Sequence, residues 1–305
     1  MKFGKLPDIS MVDFRLPPDP VGTTSRLKSL PPSDEPATAY VGCTGWSMKE
    51  WVGRVYPKGT KTKEYLVQYA RQFNTIELNT THYRTPTLDN IRKWREESAE
   101  DFRFCPKILQ RISHSRDMAL NNDLLPLFCD AIRGLGPKLG CSFVQLPPYF
   151  GVRHLEVLRS FLQRWPEDLE LAVELRNESW FEEPGAAESV FGLLEEKNIS
   201  TVITDVAGRR DVLHQRLTSD TAMIRFVGNG LDPTDYERAD EWVQRLQSWF
   251  ASGLRKLYLF PHEPDNLLAP EMADYFCKKL KDIPNLKVRG PKLLDEDAGK
   301  QISLF

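Results

Sequence analysis

The stretch LAVELRNESWFEEPGAAESVFGLLEEKNISTVITD (171–205) contains two short apolar runs separated by an amphipathic segment. The runs LAVEL (171–175) and TVITD (201–205) are short and apolar, which is typical of buried strands. Between them, Val190, Phe191 and Leu194 recur at the spacing of one helix face. The stretch therefore predicts a strand, a helix and a second strand that pairs in parallel with the first.

The same alternation extends in both directions, from residue 39 to residue 281. Six further strand candidates are AYVGC (39–43), TIEL (75–78), FRFCPK (102–107), CSFVQL (141–146), AMIRF (222–226) and KLYLF (256–260). Apolar residues at helical spacing lie between and after them, and four tryptophans in these patterns are predicted to be core: Trp94, Trp165, Trp242 and Trp249.

Eight strand–helix units fit the size of a (β/α)8 barrel, which takes ~250 residues. We therefore predict one α/β domain, a TIM-type (β/α)8 barrel over residues 37–290. A doubly wound open sheet is the alternative. Such a sheet usually carries a Gly-rich phosphate loop after its first strand, whereas this first strand continues into GCTGW (42–46). The barrel is favoured for that reason.

The two ends of the chain differ from the rest. Residues 1–36 contain seven prolines and few periodic apolar residues. Because proline removes a backbone donor and fixes φ, we expect neither a central strand nor a helix here, but a Pro-rich extension that is disordered or wraps around the barrel. Residues 291–305 are charged and are predicted to be a flexible tail.

Composition narrows the class of protein. The 305 residues include 41 Lys+Arg and 43 Asp+Glu, for a net charge of −2, which excludes a polycation that coats nucleic acid. No run approaches the ~18–20 apolar residues of a membrane span, and MKFGKLPDIS (1–10) lacks a secretory apolar stretch, so a cytoplasmic location is expected. The five cysteines are odd in number with no CxxC pair, which predicts reduced thiols rather than disulfides or zinc.

Polar residues end or follow nearly every predicted strand. In chain order they are Thr44, Trp46, Trp51, Glu77, Asn79, Thr81, Tyr83, Lys107, His114, Gln145, Glu174, Arg176, Trp180, Asp205, Arg225, His262, Glu263 and Asn266. In a barrel the chemistry sits at these strand ends, and buried polar groups are costly unless they are paired or used. They either pair with one another in the upper core or form a ligand site. We predict that those from Glu77 to Arg225 converge in one cavity.

The charges in this set predict an anionic ligand. Three cations, Lys107, Arg176 and Arg225, stand among three acids, Glu77, Glu174 and Asp205. Arginine binds carboxylate or phosphate through two hydrogen bonds, and lysine supplies a point charge. Three aromatic residues are candidates either for flat walls around a sugar ring or base, or for an apolar lid: Trp46, Tyr83 and Trp180.

Six segments resemble the YecE-like family, domain of unknown function 72. They are GCTGWSMKEWVGRVYP (42–57), TIELNTTHYRTP (75–86), FCPK (104–107), QLPPYF (145–150), VELRNESW (173–180) and ITD (203–205). The resemblance spans about residues 39–281 and implies a cytoplasmic protein with a TIM-type barrel but no particular reaction. Nine residues fall on the family's motif positions: Glu77, Asn79, Tyr83, Lys107, Gln145, Glu174, Arg176, Trp180 and Asp205. The chain departs from the family at LFPHEPDNL (259–267), where members often carry an aromatic-Asn-Asn stretch.

Glycoside hydrolysis is one reaction to test against these residues. It needs two carboxyls about 5–5.5 Å apart for retention or about 6.5–9.5 Å apart for inversion. Many barrel glycosidases take them from strands four and seven, which here end in Gln145 and Arg225. Glu77 and Glu174 come from strands two and five, which leaves an inverting arrangement open.

Metal-assisted hydrolysis is a second reaction. Glu77, Glu174 and Asp205 would supply oxygen ligands for Mg²⁺ or Mn²⁺. The sequence has no HxH or HExxH pattern, so a multi-zinc site is disfavoured. A cysteine nucleophile is also disfavoured, because Cys43 and Cys105 have no sequence-adjacent base.

Two classes of function follow. The first is an enzyme in which Glu77 or Glu174 is the general acid/base and Asp205 an orienting group or metal ligand, acting on a phosphorylated sugar, nucleotide or DNA end. Its substrate-binding set is Trp46, Asn79, Tyr83, Lys107, Gln145, Arg176, Trp180 and Arg225. The second class is a non-catalytic binding barrel.

The segment QISLF (301–305) predicts a partner. Its pattern of Gln, an aliphatic residue, Ser, Leu and Phe resembles the peptide by which bacterial polymerases and repair proteins dock on the sliding clamp. Leu304 and Phe305 would fill an apolar pocket, and Gln301 would anchor the peptide by side-chain hydrogen bonds. A short match by chance, or packing of this pair against the barrel, is the alternative.

Overall fold

The structure is a computed structural model that describes residues 4–294. Over this range it contains nine β-strands: β1 (Ala37–Val41), β2 (Thr75–Leu78), β3 (Arg103–Pro106), β4 (Ser142–Gln145), β5 (Leu171–Glu174), β6 (Ser200–Asp205), β7 (Thr221–Val227), β8 (Lys256–His262) and β9 (Leu286–Val288). The first eight overlap the eight strands predicted from the sequence. The three-residue β9 was missed because so short a run carries no alternation that could be recognised.

Eleven α-helices alternate with these strands over the same range. They are α1 (Val21–Ser29), α2 (Tyr65–Gln72), α3 (Thr80–Tyr83), α4 (Leu88–Glu97), α5 (Gln110–Ser113), α6 (Leu124–Arg133), α7 (Leu155–Arg164), α8 (Ser179–Glu182), α9 (Ala186–Glu196), α10 (Pro233–Ala251) and α11 (Ala269–Leu280). The three shortest, α3, α5 and α8, follow strand ends β2, β3 and β5, so each begins in a loop that surrounds the site described below.

The strands form two parallel sheets. Seven strands pair in the order β4-β5-β6-β7-β8-β1-β9, and β2 pairs with β3. Within the larger sheet, Gln145 lies beside Glu174, and Thr204 lies beside Arg225. This arrangement confirms the predicted parallel α/β architecture, with helices joining parallel strands.

One side chain and one backbone hydrogen bond join β1 and the residues after it to β2. The Asn74 amide accepts from Val41 N at 2.9 Å and donates to Ala39 O at 3.0 Å, so it replaces two bonds of a backbone ladder. Glu77 N donates to Cys43 O at 3.1 Å. A Cβ on Gly42 would lie 2.0 Å from Thr75 O, so only glycine permits this approach.

Backbone contacts join β3 to β4. Gly140 N donates to Phe104 O at 2.8 Å, and Ile108 N donates to Phe143 O at 2.9 Å. Two isolated parallel bridges lie at the same junction. The two-stranded sheet is therefore attached to its larger neighbour on both sides.

The tryptophans predicted to be core are buried. Trp242 and Trp249 on α10 are 0% and 1% exposed, and Trp94 and Trp165 are also buried. Their positions confirm the helical spacing read from the sequence. All five cysteines are buried and unpaired among residues 4–294, which contain every cysteine of the chain.

The Pro-rich N-terminal extension, called the N-terminal arm below and described from residue 4 onwards, differs from the sequence-based prediction in one respect. Residues 21–29 form helix α1, although no helix was expected in this Pro-rich region. The prolines bracket the helix without interrupting it, since Pro20 is its N-cap and Pro31 follows its end. The arm packs on α10, where Asp19 accepts a hydrogen bond from Trp249 Nε1 at 2.9 Å.

Within residues 4–294, no helix combines the length and apolarity needed to cross a lipid bilayer. Leu294, the last described residue, donates a hydrogen bond from its backbone N to Arg54 O at 2.8 Å. The tail residues assigned to clamp binding, Gln301, Leu304 and Phe305, lie outside the described residues.

Candidate functional site

A cavity of about 610 Å³ lies at the carboxyl ends of the parallel strands. Its size suits a small-molecule ligand. It is lined by Lys5, Thr44, Glu77, Asn79, His82, Tyr83, Lys107, Gln110, Gln145, Arg176, Thr204, Arg225, Val227, His262, Glu263, Asp265 and Asn266. Seven of the eleven residues assigned from the sequence to catalysis or substrate binding are in this wall.

Arg225 on β7 is the centre of the polar network. Its Nε and Nη2 donate to the two carboxylate oxygens of Glu77 at 2.9 and 3.1 Å. Its Nη1 donates to both oxygens of Glu174 at 3.1 and 3.3 Å. One guanidinium thus bridges carboxylates from β2 and β5, and buried charges need this kind of pairing to be tolerated.

Glu174 lies behind the cavity wall. It is 1% exposed and accepts from Arg176 Nε at 2.7 Å, Gln145 Nε2 at 2.7 Å and Thr204 Oγ1 at 2.9 Å. These three donors all line the cavity. Glu174 therefore orients the lining residues and does not itself reach the open space.

The network keeps both carboxylates ionised. Burial would raise the pKa of Glu77, but the interactions with Arg225 and then with His262 outweigh it and hold that pKa well below its usual range. Burial likewise opposes the shift at Glu174, where Arg176 and Arg225 lower the pKa to about 2. Burial would lower the pKa of Arg225, but the two carboxylates raise it. All three groups are charged near neutral pH.

Lys107 directly follows β3 and differs from Arg225 in its bonding partners. Its Nζ donates to Gln145 Oε1 at 2.9 Å, and it forms no ion pair within residues 4–294. Burial and then the charge of Arg225 lower its pKa to about 8, despite the opposing effects of Glu77 and Glu174. Lys107 is thus a buried amine close to its titration point at neutral pH.

Two histidines of the cavity wall are held neutral or nearly so. His82 Nδ1 lies 2.8 Å from Ile108 O; a carbonyl can only accept, so Nδ1 carries the proton and Nε2 is left as an acceptor. Burial lowers the pKa of His82 to about 4. His262 Nε2 lies 3.0 Å from Glu77 Oε2 and donates to that carboxylate, while burial lowers its pKa.

Glu263 is a carboxyl of the cavity wall whose pKa is raised, whereas the pKa values of Glu77 and Glu174 are lowered. It is 2% exposed, and burial raises its pKa to about 7, although its Oε2 accepts from Gly230 N at 2.8 Å. Its Oε1 has no hydrogen-bond partner in the described part of the chain. Gly228 leaves the space that this carboxyl occupies, because a Cβ there would lie 2.0 Å from Oε1.

A family model described as "Protein of unknown function DUF72" matches residues 40–293. The chain belongs to the DUF72 family. This result confirms the resemblance drawn from the six sequence motifs. The DUF72 match begins after helix α1, so the N-terminal arm lies outside it.

Relatives agree with this membership. The chain is 32% identical to the UPF0759 protein YecE of Escherichia coli K12 over 266 residues, which cover 81% of this chain and 94% of that protein. It is 30% identical to the UPF0759 protein YunF of Bacillus subtilis 168 over 155 residues, 48% of this chain and 53% of that one. A crystal structure of a DUF72 family protein from Enterococcus faecalis V583 has a similar fold, with a TM-score of 0.65 and 20% identity over 80% of this chain and 98% of that chain.

Asp205 is not in the cavity of this DUF72 chain, contrary to expectation. Strand β6 alternates, so Thr204 points to the cavity and Asp205 points to the helices. The Asp205 carboxylate pairs with Arg210 and with Arg238 at 3.0 Å, and accepts from Trp242 Nε1 at 2.8 Å. Asp205 therefore anchors α10 to the sheet.

Two aromatic residues also lie elsewhere. Trp180 is 0% exposed and donates to Phe150 O at 2.8 Å, so it is a core residue of α8. Trp46 packs edge-on against Trp94 at 6.0 Å and lines a separate pocket of about 210 Å³. Of the three aromatic candidates, Tyr83 lines the cavity and is 76% exposed.

The proposed set of metal ligands is not assembled. Glu77 and Glu174 are both bound by Arg225, and Asp205 points away from them. Within residues 4–294, no group of three His, Cys, Asp or Glu side chains is placed to hold a metal ion. Glu77, Glu174 and Asp205 are therefore not a common site for Mg²⁺ or Mn²⁺ in this fold.

Sequence reasoning missed several lining residues. Thr204 would have followed from alternation with Asp205, and His82 from its place in TTHY (80–83) directly after β2. Lys5 reaches the cavity from the N-terminal arm, and no sequence pattern indicates that contact.

Proposed function

We propose that the protein is an enzyme that acts on an anionic small molecule, such as a phosphorylated sugar or nucleotide, in the cavity at the strand ends. The observation that carries the proposal is the buried ammonium of Lys107, which lines the cavity and has no ion pair among residues 4–294. A buried cation is costly without a counter-charge, and a bound anion would supply one.

The charges around Lys107 support this polarity. Three cations, Arg225, Arg176 and Lys107, face two carboxylates, Glu77 and Glu174, so the inner network carries one positive charge in excess when Lys107 is protonated. Lysine provides a point charge and arginine a planar fork for phosphate or carboxylate oxygens. Asn79, Gln145 and Tyr83 lie in the same wall and add neutral hydrogen-bonding groups.

Glu263 and Lys107 are the acid/base groups of this proposal. A general acid or base works best with a pKa near the operating pH, and burial brings Glu263 to about 7 and Lys107 to about 8. Glu77 and Glu174, the carboxylates first assigned this role, are ionised and engaged by Arg225. They serve instead to position that guanidinium and the residues bonded to it.

The same proposal includes a closed (β/α)8 barrel and a cytoplasmic location. Closure is supported by the Asn74 contacts between β1 and β2 and by the backbone bonds between β3 and β4. Active sites of such barrels lie at the carboxyl ends of the strands, where this cavity lies. The five unpaired, buried cysteines suit a reducing compartment.

The test is anion binding followed by turnover. Inorganic phosphate and a panel of sugar phosphates and nucleotides are titrated by calorimetry into the wild type, Lys107→Met and Lys107→Arg, with the exposed Lys93→Met as the matched control. We expect Lys107→Met to weaken binding about tenfold or more and Lys107→Arg to restore part of it. Equal binding by wild type and Lys107→Met would contradict the proposed anion site. Binding without turnover of any ligand in the panel would favour a non-catalytic binding barrel.

A second proposal is that QISLF (301–305) recruits this barrel to the bacterial sliding clamp and thereby to DNA repair or replication. Its support is the sequence pattern of Gln301, Leu304 and Phe305. A peptide of residues 296–305 is titrated into purified clamp, with Gln301→Ala and Leu304→Ala/Phe305→Ala as controls. Binding that either control abolishes supports the proposal. Absence of binding at high micromolar peptide, or binding unaffected by both controls, refutes it.

A further inference from the structure

We infer that Lys107 is a nucleophile that forms an imine with a carbonyl group of the anionic substrate. The inference rests on the proposed function, because the same cavity must first bind that substrate. It adds a substrate class, an aldehyde or ketone that carries a phosphate or carboxylate, and it assigns Lys107 a covalent step.

The position of Lys107 supports a nucleophilic role. The side chain is 9% exposed at the cavity wall, so a bound ligand can reach it while bulk water is largely excluded. A neutral acceptor, Gln145 Oε1, fixes Nζ at 2.9 Å, and Gln145 is itself held by Glu174. The Phe143 ring lies 6.0 Å from Nζ and provides an apolar side.

Burial, and after it the charge of Arg225, favours the neutral amine of Lys107. The charges that face Lys107 are those of Glu77 on β2, Glu174 at the end of β5, Arg176 two residues beyond it, and Arg225 on β7. His82 and His114 lie close enough for the Lys107 charge to lower the pKa of each. Burial and Arg225 outweigh the carboxylates, so the pKa of Lys107 falls to about 8 and part of the amine is unprotonated at neutral pH. A desolvated lysine beside another cation is a recognised form of activated amine.

The reaction balances without an oxidant or reductant. The Lys107 nitrogen attacks the carbonyl carbon, a C–N bond forms, and the carbonyl π pair moves to oxygen. A proton moves from nitrogen to that oxygen, which gives a carbinolamine. The second proton of the amine nitrogen then moves to the hydroxyl, which leaves as water while the nitrogen lone pair forms the C=N bond, so both amine protons end in the released water.

We assign the transfer of these protons to His82, which lines the same cavity as Lys107. Its Nδ1–H donates to Ile108 O at 2.8 Å, so Nε2 keeps a free lone pair on a side chain that lines the cavity. Nε2 takes the proton released by nitrogen and returns it to the departing hydroxyl. In the imine step Lys107 is thus the nucleophile and not the acid/base group assigned to it above, and His82 relays its protons.

The test uses pyridoxal 5′-phosphate, an aldehyde with a phosphate group, as the probe. The full chain is incubated with the probe, the imine is trapped with sodium borohydride, and the modified lysine is identified by peptide mass mapping. We expect Lys107 to be labelled first, at a rate that rises with pH through about 8. Pyridoxal without the phosphate should label Lys107 about tenfold more slowly.

Lys138 supplies the matched control. It is 6% exposed, similar to Lys107, but its Nζ is fixed by Arg95 O and Ser98 O at 2.6 and 2.7 Å. Lys138→Arg should leave the labelling unchanged, and Lys107→Arg should abolish it. If Lys107→Arg fails to fold, the pH dependence and the labelled position in the wild type still decide the matter.

Labelling spread over surface lysines, or an unchanged rate in Lys107→Arg, would overturn the inference. Calorimetry with inorganic phosphate separates this failure from failure of the proposed function. Phosphate binding without an adduct at Lys107 removes the imine alone, whereas absence of both removes the anion site as well.

Discussion

Arg225 and Glu77 are joined by two parallel hydrogen bonds, Nε to Oε2 at 2.9 Å and Nη2 to Oε1 at 3.1 Å. The pair connects β7 of the seven-stranded sheet to β2 of the two-stranded sheet. Both side chains are buried, at 7% and 0% exposure, so the ion pair is protected from screening by salt. The cavity wall therefore depends on a charge interaction between sheets that share few backbone bonds.

Arg225→Leu should destabilise the protein strongly. Removing one partner of a buried ion pair costs about 3–5 kcal/mol, because the remaining carboxylates lose their counter-charge. Urea unfolding measures the change in the free energy of unfolding. Arg133→Ala is the control, since its pairs with Asp130 and Asp168 are at the surface and should contribute about 0–1 kcal/mol. Similar losses in the two variants would contradict the assigned burial of the Arg225 network.

Glu174 should make the protein sensitive to acid. Its pKa is about 2 when folded and 4.5 in its ordinary state, so the unfolded chain takes up this proton first as pH falls. The stabilisation is complete above about pH 5 and is lost towards pH 2, a change of roughly 3 kcal/mol. Denaturant titrations between pH 2 and 7 measure it. Glu174→Gln should flatten the profile and the exposed Glu237→Gln should not; a steep profile in Glu174→Gln would refute the assignment.

Gly228→Ala should displace Glu263. The new Cβ would meet Oε1 at 2.0 Å, and the carboxyl would have to leave its bond to Gly230 N. We expect a loss of about 1–3 kcal/mol in unfolding free energy and a lower pKa for Glu263 once it reaches water. Differential scanning calorimetry and an NMR titration of Glu263 measure these effects. Gly192→Ala on α9 meets nothing within 4 Å and should stabilise by about 0.5–1 kcal/mol, so destabilisation by both changes would refute the steric explanation.

Asn74→Ala should weaken the junction between β1 and β2. It removes both hydrogen bonds of the Asn74 side chain and leaves Val41 N and Ala39 O buried without those partners. The expected loss is about 1–3 kcal/mol for each unsatisfied group, measured by urea unfolding. Hydrogen exchange should also accelerate at Val41 N. Asn121→Ala, at an exposed Asp117 contact, should change neither quantity, and an unperturbed Asn74→Ala would disprove the bridging role.

The eight main strands could be predicted because each is a short apolar run between helical patterns, as LAVEL and TVITD illustrate. Helix α1 could not be predicted from proline content alone, since the effect of Pro20 depends on whether it lies inside a helix or at its end. The direction of Asp205 was predictable in principle, because it differs by one position from Thr204 and strand side chains alternate. The opposite pKa shifts of Glu174 and Glu263 were not predictable, since they depend on how deeply each carboxyl is buried and on which carboxylates Arg225 binds.

The use of Asn74 at the β1–β2 junction has a genetic consequence. Every residue type except proline carries the N–H and C=O of a strand ladder, so a single codon change rarely deletes such a bond. Between β1 and β2 two such bonds belong to the Asn74 side chain, and one nucleotide substitution can remove or restore both of them. Part of the attachment of these two strands is thus open to selection at a single position of the gene.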